Sequence, residues 1–199
     1  AVTQPAETEG PEQPNALLRQ EPRVSRRSFL AATGTLLASA VGADAFVIEP
    51  RRVQLSRHEV SLPGLPSALD GLTIAQVSDV HLPANRAAVE RTLAMLEAER
   101  PDIVLLTGDQ CETSTAMEDL VAFVRGARGK LATIAILGNW DYQGGATGPL
   151  ARRVYEHAGA ILLVNQHTIV DVGGARIAFV GLDDMLSGSP NAAAALAGL

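Results

Sequence analysis

Three short segments carry side chains that could hold a metal ion: Ser78-Asp79-Val80-His81, Thr107-Gly108-Asp109 and Gly138-Asn139-Trp140-Asp141. Carboxylates, one imidazole and one carboxamide oxygen make a mixed oxygen and nitrogen donor set. Such a set suits Mn, Fe, Zn or Mg rather than soft copper. In Asp79-x-His81, alternate residues past a strand end can project to the same side and clasp one ion. Taken singly, each group is ordinary. An Asp after a strand is commonly a turn former or helix cap, and Asn139 after Gly138 could mark a simple turn. Their recurrence at three successive strand ends is poorly explained by turns alone.

The elements that would deliver them follow from the apolar pattern. Leu72 to Val77 is a short apolar run and reads as a buried strand. A helix is predicted from about Asn85 to Glu99, with Val89, Leu93 and Leu96 on one face and Pro101 after it. Ile103 to Leu106 is a strand apolar on both faces, as in a covered parallel sheet. A second helix is predicted over Ala116 to Arg125, with Thr115 and Glu118 at capping-box spacing. Leu131 to Leu137 is a third strand. Pro149 opens another helix, which ends near Gly159. Ile161 to Val164 is a strand, and Thr168–Val172 with Arg176–Val180 form a hairpin about Gly173-Gly174. Upstream, Val53 to Leu62 alternates loosely and reads as one more strand. The order is βαβαβ, then αβ, then a hairpin: an α/β chain whose parallel strands share one C-terminal edge, where such folds place ligands.

Composition narrows the function classes. The 199 residues are 47% hydrophobic and 19% charged, as in a globular protein, with a formal net charge of −6. An acidic chain argues against a nucleic-acid binder, which needs a basic face. The single Cys111 excludes a disulfide framework and an iron–sulfur cluster. No G-x-G-x-x-G follows a strand, which argues against a dinucleotide-dependent redox enzyme.

The first 45 residues are expected to lie outside the catalytic fold. Residues 1 to 24 hold four prolines and four glutamates and should not pack. Ser25-Arg26-Arg27-Ser28-Phe29-Leu30 then leads into an uncharged run from Phe29 to Val41. At about 13 residues it falls short of the ~20 needed to span a bilayer. Ala38-Ser39-Ala40 and Ala43-Asp44-Ala45 are both small-x-small cleavage candidates. The paired arginines resemble a twin-arginine export signal, which implies the twin-arginine machinery as a partner and an extracytoplasmic location, periplasmic or membrane-associated. The expected division is a leader and signal over 1–45 and the fold over 46–199.

Asp-x-His, Gly-Asp and Gly-Asn-x-Asp at intervals of about 30 residues resemble the calcineurin-like metallophosphoesterases. The wording around Asp79 and Asn139, with Leu62-Pro63-Gly64-Leu65-Pro66 upstream, is most similar to an exported bacterial phosphodiesterase-like branch. The resemblance implies a four-layered αββα sandwich, of which the N-terminal part is expected here. It implies two divalent metal ions, with Asp79 and His81 on the first, Asp109 bridging and Asn139 on the second. Asn139 and Asp141 are assigned the catalytic role. The implied activity is hydrolysis of a phosphodiester or pyrophosphate in a small molecule or lipid, by a monomer with no nucleic-acid partner.

Two departures bear on that expectation. Further His ligands of the family come from later motifs that His58, His157 and His167 do not match, so they are expected beyond Leu199. The family's His after the Asn, thought to contact the phosphate and aid the leaving group, is Trp140 here. A protein of the same fold with a broken site is therefore the alternative. Cys111, Gly144–Gly148 and the pair Arg152-Arg153 are read as loop and surface features.

Overall fold

The computed structural model describes residues 25–43, 53–83 and 86–199. The chain divides into two compact units, Ala1–Ala43 and Asp44–Leu199. The leader before Ser25, the Asp44-Ala45 part of the second cleavage candidate and the boundary at 45 lie outside the described residues.

In the first unit, helix α1 runs over Arg26–Ala43 and opens on the arginine pair. Phe29 and Leu30 on it are exposed. Among the described residues no helix is long and apolar enough to cross a membrane.

The second unit is α/β. Its elements are β1 (Ile74–Val77), α2 (Arg86–Glu99), β2 (Ile103–Thr107), α3 (Met117–Gly126), β3 (Ala132–Ile136), α4 (Asn139–Gln143), α5 (Gly148–Ala158), β4 (Ile161–Leu162), β5 (Gln166–Val172), β6 (Ala175–Gly181) and α6 (Ala192–Leu196). Strands β1 to β4 form one parallel sheet in sequence order, and β5 and β6 form an antiparallel hairpin. Parallel strands buried on both faces demand apolar residues at every position, which is what Ile103-Val104-Leu105-Leu106 supplies. Val104 and Leu106 pack with Leu120, Phe123 and Val124 of α3 and with Tyr155 of α5. Ile103 and Leu105 turn the other way, with Ile134, Val170 of β5 and Phe179 of β6. The hairpin thus covers the sheet face opposite the helices. Helix α6 lies against the hairpin in turn, its Ala195 carbonyl 2.8 Å from His167 Nδ1. This is the expected α/β architecture with its parallel sheet.

Three local expectations are corrected. Val53–Leu62 is not a strand: from Gln54 on it is exposed, and it is unpaired with any sheet among the described residues. Arg57, His58 and Glu59 interrupt its apolar alternation, and it is anchored by an ion pair between Arg57 and Glu99. The cap before α3 is not Thr115. A tight turn over Ser114–Ala116 precedes that helix, and Thr113 Oγ1 accepts from the Thr115 amide. Third, no helix is expected between the third strand and Pro149, yet a short one, α4, stands there. Gly138 is its N-cap and donates its amide to Asp141 three residues on, one half of a capping box. Helix α5 ends as expected, with Gly159 in the left-handed conformation at φ 87°.

Asp102 ties the starts of three strands together. Its carboxylate accepts from the Thr73 amide at 2.9 Å and hydroxyl at 2.7 Å, and from Lys130 Nζ at 2.9 Å. The amide of Thr73 first, then Lys130 and the Thr73 hydroxyl, hold its pKa down at about 2. A depressed carboxylate stabilises the fold above its ordinary pKa and stops doing so as pH falls through the folded value. Asp102→Asn should therefore lower the urea midpoint at pH 7, and the gap to the wild type should shrink as pH drops from about 4 to about 2. A gap of constant size over that window would count against the charge-based account.

Candidate metal centre

The register of the sheet sets the site. Val77 pairs with Leu106 and Thr107 with Ile136, so β1, β2 and β3 end level with one another. Asp79, Asp109 and Asn139 each follow within two or three residues. A carboxylate oxygen of Asp79, a ring nitrogen of His81 and a carboxylate oxygen of Asp109 all lie within 4.8 Å of one another. His81 Nε2 is 3.8 Å from Asp79 Oδ1. The three residues share an uncommon backbone conformation, with φ of 57°, 54° and 56°. Non-glycine residues reach this left-handed region at a cost of order 1–3 kcal/mol each, and such strain gathers at functional sites.

Main-chain bonds hold the loops in place. The Asp79 amide donates to the Gly108 carbonyl at 3.1 Å, and the His81 amide to the Asp109 carbonyl at 2.9 Å. The ladder continues from the Leu82 amide to the Gln110 carbonyl and from the Glu112 amide to the Leu82 carbonyl, both at 2.9 Å. The loop after β1 and the loop after β2 therefore run side by side as an irregular extension of the sheet.

Asp109 is oriented by the third loop. Its Oδ1 accepts from the Trp140 amide at 2.8 Å. A carboxylate has lone pairs to spare after one such bond, so Asp109 keeps the capacity to bridge. Gly138 permits the approach. A Cβ built on it would meet Asp109 Oδ1 at 2.3 Å and the Asp109 nitrogen at 2.7 Å.

Asn139 is the first residue of α4, half-buried between Gly138 and Trp140. Asp141 stands elsewhere than an attacking or proton-transferring group would. It is fully buried. Its Oδ1 accepts from the Gln110 and Cys111 amides at 3.0 and 2.9 Å, and its Oδ2 from the Asp109 and Gly138 amides at 2.8 and 2.9 Å. Burial pushes its pKa up to about 6 against the pull of those four N–H donors. The geometry is that of support beneath the site.

The structure brings Asp79, His81, Asp109 and the start of α4 to one edge. Among the described residues it brings no other histidine there: His58 is exposed, His157 Nε2 lies 2.6 Å from an Arg125 guanidinium nitrogen, and His167 faces α6. Cys111 is buried and its thiol donates to the Thr113 carbonyl at 3.2 Å. Burial raises its pKa, the reverse of what activates a thiol nucleophile. Arg152 is engaged by Gln166 at 2.7 Å.

Spacing alone did not reveal Glu112. Its Oε1 lies 2.7 Å from His81 Nδ1. The one hint in the sequence was its place three residues past Asp109. Trp140 also touches His81, ring edge to ring face, with centroids 5.7 Å apart and planes at 76°.

The described fold is a parallel α/β sheet with oxygen and nitrogen donors gathered at its C-terminal edge, where they could hold a metal ion. Residues 72–197 match the calcineurin-like phosphoesterase superfamily domain, and the chain belongs to that family. It is 24% identical over 180 residues to the uncharacterized metallophosphoesterase YkuE of Bacillus subtilis, covering 85% of this chain and 63% of that one. It is 32% identical over 99 residues to the UDP-2,3-diacylglucosamine pyrophosphatase LpxG of Chlamydia trachomatis, covering 48% of this chain and 30% of LpxG. A bovine transmembrane protein with a metallophosphoesterase domain is 27% identical over 123 residues, 60% of this chain and 27% of its own length. The chain thus spans less than two thirds of the length of each of these relatives.

The donor set fits divalent metal. Two carboxylates and an imidazole within 4.8 Å of one another match the ligand chemistry of Mn, Fe, Zn or Mg, and the strained loops hold them together. Gly138→Ala should push the Asp109 carboxylate out of this set while leaving the core intact. Binding of Mn²⁺, measured by calorimetry, should weaken by roughly tenfold or more, as when support of a metal ligand is lost. Unchanged affinity would mean that Asp109 does not need the space beneath it.

Proposed function

We propose that this protein is an exported binuclear metal-dependent phosphoester hydrolase of phosphodiesterase or pyrophosphatase type. Its proposed substrates are phosphorylated lipids, such as phospholipid head groups or nucleotide-linked lipids. The observation that carries the proposal is the Asp79–His81–Asp109 cluster at the sheet edge. The likeness to LpxG, whose name gives a nucleotide-linked lipid as substrate, supports the lipid class. The arginine pair opening α1 and the apolar run behind it support export.

In this reading Asp79 and His81 would hold the first ion, Asp109 would contribute to both and Asn139 would serve the second. A bound pair of divalent ions supplies positive charge to phosphoryl oxygens and lowers the pKa of water. The chain's own work is positional. Trp140 fixes Asp109 through its main-chain amide, and Asp141 fixes the Asp109 loop from below. Two ions need more donors than these four side chains offer, so Asp79, His81, Asp109 and Asn139 alone should bind metal weakly.

Trp140 shapes the expected chemistry. Indole offers one N–H donor and no proton that titrates near neutrality. It can bond a phosphate oxygen but cannot protonate a leaving alkoxide, a contribution worth ~10²–10⁴-fold where leaving groups are poor. The protein should therefore show Mn²⁺-dependent hydrolysis of aryl phosphodiesters or pyrophosphates and little on alkyl phosphodiesters. Trp140→His should raise the alkyl rate far more than the aryl rate. No hydrolysis in any metal would favour the inactive-fold alternative, and a uniform loss in Trp140→His would assign Trp140 to packing against His81. Export is tested separately. Changing Arg26 and Arg27 to Lys keeps the charge but should leave a fused reporter in the cytoplasm, and unaffected export would rule out the twin-arginine route.

A further inference from the structure

We propose that Glu112 is a positioning residue that selects the His81 tautomer: it takes the Nδ1 proton as a hydrogen bond and leaves the Nε2 lone pair directed at the cluster with Asp79 and Asp109. The assignment rests on the metal-site reading above.

The placement of Glu112 comes from the main chain. The bonds from the His81 amide to the Asp109 carbonyl, from Leu82 to Gln110 and from Glu112 back to Leu82 zip the two loops together residue by residue. Leu82 and Cys111 form an isolated parallel bridge at the centre of this ladder, and both are buried. The Glu112 backbone is therefore delivered beside His81, and in the rotamer present its carboxylate reaches the ring.

The two ring nitrogens of His81 meet different surroundings. Nε2 looks toward Asp79 Oδ1 at 3.8 Å. Nδ1 is shielded from solvent and has no aligned hydrogen-bond partner among the described residues. Glu112 Oε1 sits 2.7 Å from it. The two atoms are at hydrogen-bond separation but not aligned, and the proposal requires the Glu112 carboxylate to reorient onto the N–H. A neutral imidazole has one donor and one acceptor nitrogen, and the bond made by one decides the role of the other. Histidines that bind metal commonly donate their second N–H to a carboxylate, which fixes both tautomer and ring orientation. Trp140, packed against the ring, restrains its rotation. An unbiased imidazole in water favours the proton on Nε2, the wrong nitrogen for this cluster.

Glu112 is 41% exposed at its side chain, so its replacement leaves the core untouched. The test uses ¹⁵N-labelled full chain freed of metal by chelator, with the His81 signals assigned by their loss in His81→Gln. Long-range ¹H–¹⁵N spectra at neutral pH should show the Nδ1–H tautomer in the wild type and in Glu112→Gln, whose carboxamide oxygen can still accept. Glu112→Ala should shift toward Nε2–H. Titration with Mn²⁺ should find Glu112→Ala weakened about 10–100-fold and Glu112→Gln within a few-fold of the wild type. The same tautomer in the wild type and Glu112→Ala would overturn the proposal. So would a loss in Glu112→Gln as large as in Glu112→Ala, which would reduce Glu112 to a charge that attracts cations. A tautomer shift in a chain that binds no Mn²⁺ would instead sink the metal-site reading, and the proposed role with it.

Discussion

One buried carboxylate organises the site. Asp141 accepts four main-chain N–H bonds, three from the consecutive residues Asp109, Gln110 and Cys111 and one from Gly138. A buried amide without a partner costs about 1–3 kcal/mol, so a turn that exposes three in a row toward the interior needs an acceptor of this capacity. An ionised carboxylate has it, with two oxygens and about four lone-pair sites. Asparagine would not serve, because its NH₂ would face two of the four donors. The loop after β2 is thereby pinned to the start of α4. Everything that loop carries follows: the Asp109 carboxylate, the carbonyls that receive His81 and Leu82, and Glu112.

The same bonds pay for strained backbone at the donors. Asp79, His81 and Asp109 all adopt positive φ, which an isolated chain would avoid. Turning left-handed just past a strand throws the side chain off the alternation of the sheet, so residues from neighbouring strands converge on a point instead of standing in rows. Convergence within 4.8 Å brings like charges together, since Asp79 and Asp109 are both carboxylates. Opposite charge at that point relieves the repulsion, which gives the protein a reason to bind a cation and a reason to be less stable without one.

The donors were legible in the sequence because chemistry and spacing coincide there. Asp79, His81 and Asp109 are polar residues directly after apolar strand runs, and the strands themselves follow from Leu72–Val77, Ile103–Leu106 and Leu131–Leu137. The hairpin was equally plain from Gly173-Gly174 between alternating runs, and it formed with Val172 paired to Ala175. What spacing could not reveal is which polar side chain turns inward. Asp141 and Asn139 share one short motif, yet one is sealed under four amides and the other stays half-buried at the start of α4. Residues 53–62 misled in the opposite way. Their alternation resembles a strand, but pairing depends on a neighbouring edge, and among the described residues none receives them. Glu112 was invisible because its significance lies in the ladder between two loops, a tertiary feature with no local signature.

The second sheet is coupled to the site through α4. Tyr142, three residues after Asn139, donates its hydroxyl to Asp183 Oδ1 at 2.5 Å, just past the end of β6. Burial, then the bond to Asp183, pushes the Tyr142 pKa up to about 12, so the phenol stays a donor at any physiological pH. Burial works against the Asp183 carboxylate, but bonds from Tyr142, Ser189 and Asp184 outweigh it and hold the group below its ordinary pKa. Asn165, before β5, accepts the amides of Asp183 and Asn191 at 3.1 and 2.7 Å. The loop leaving the hairpin is thus bound at both ends, to α4 on one side and to the turn before β5 on the other. Its Met185 and Leu186 are over 80% exposed although their main chain is fixed in this way. Helix α4, which carries Asn139 and Trp140, is therefore held from below by Asp141 and from the side by Asp183. The edge where the donors meet is built by both sheets, and the packing of the hairpin on β2 and β3 is a condition for its geometry.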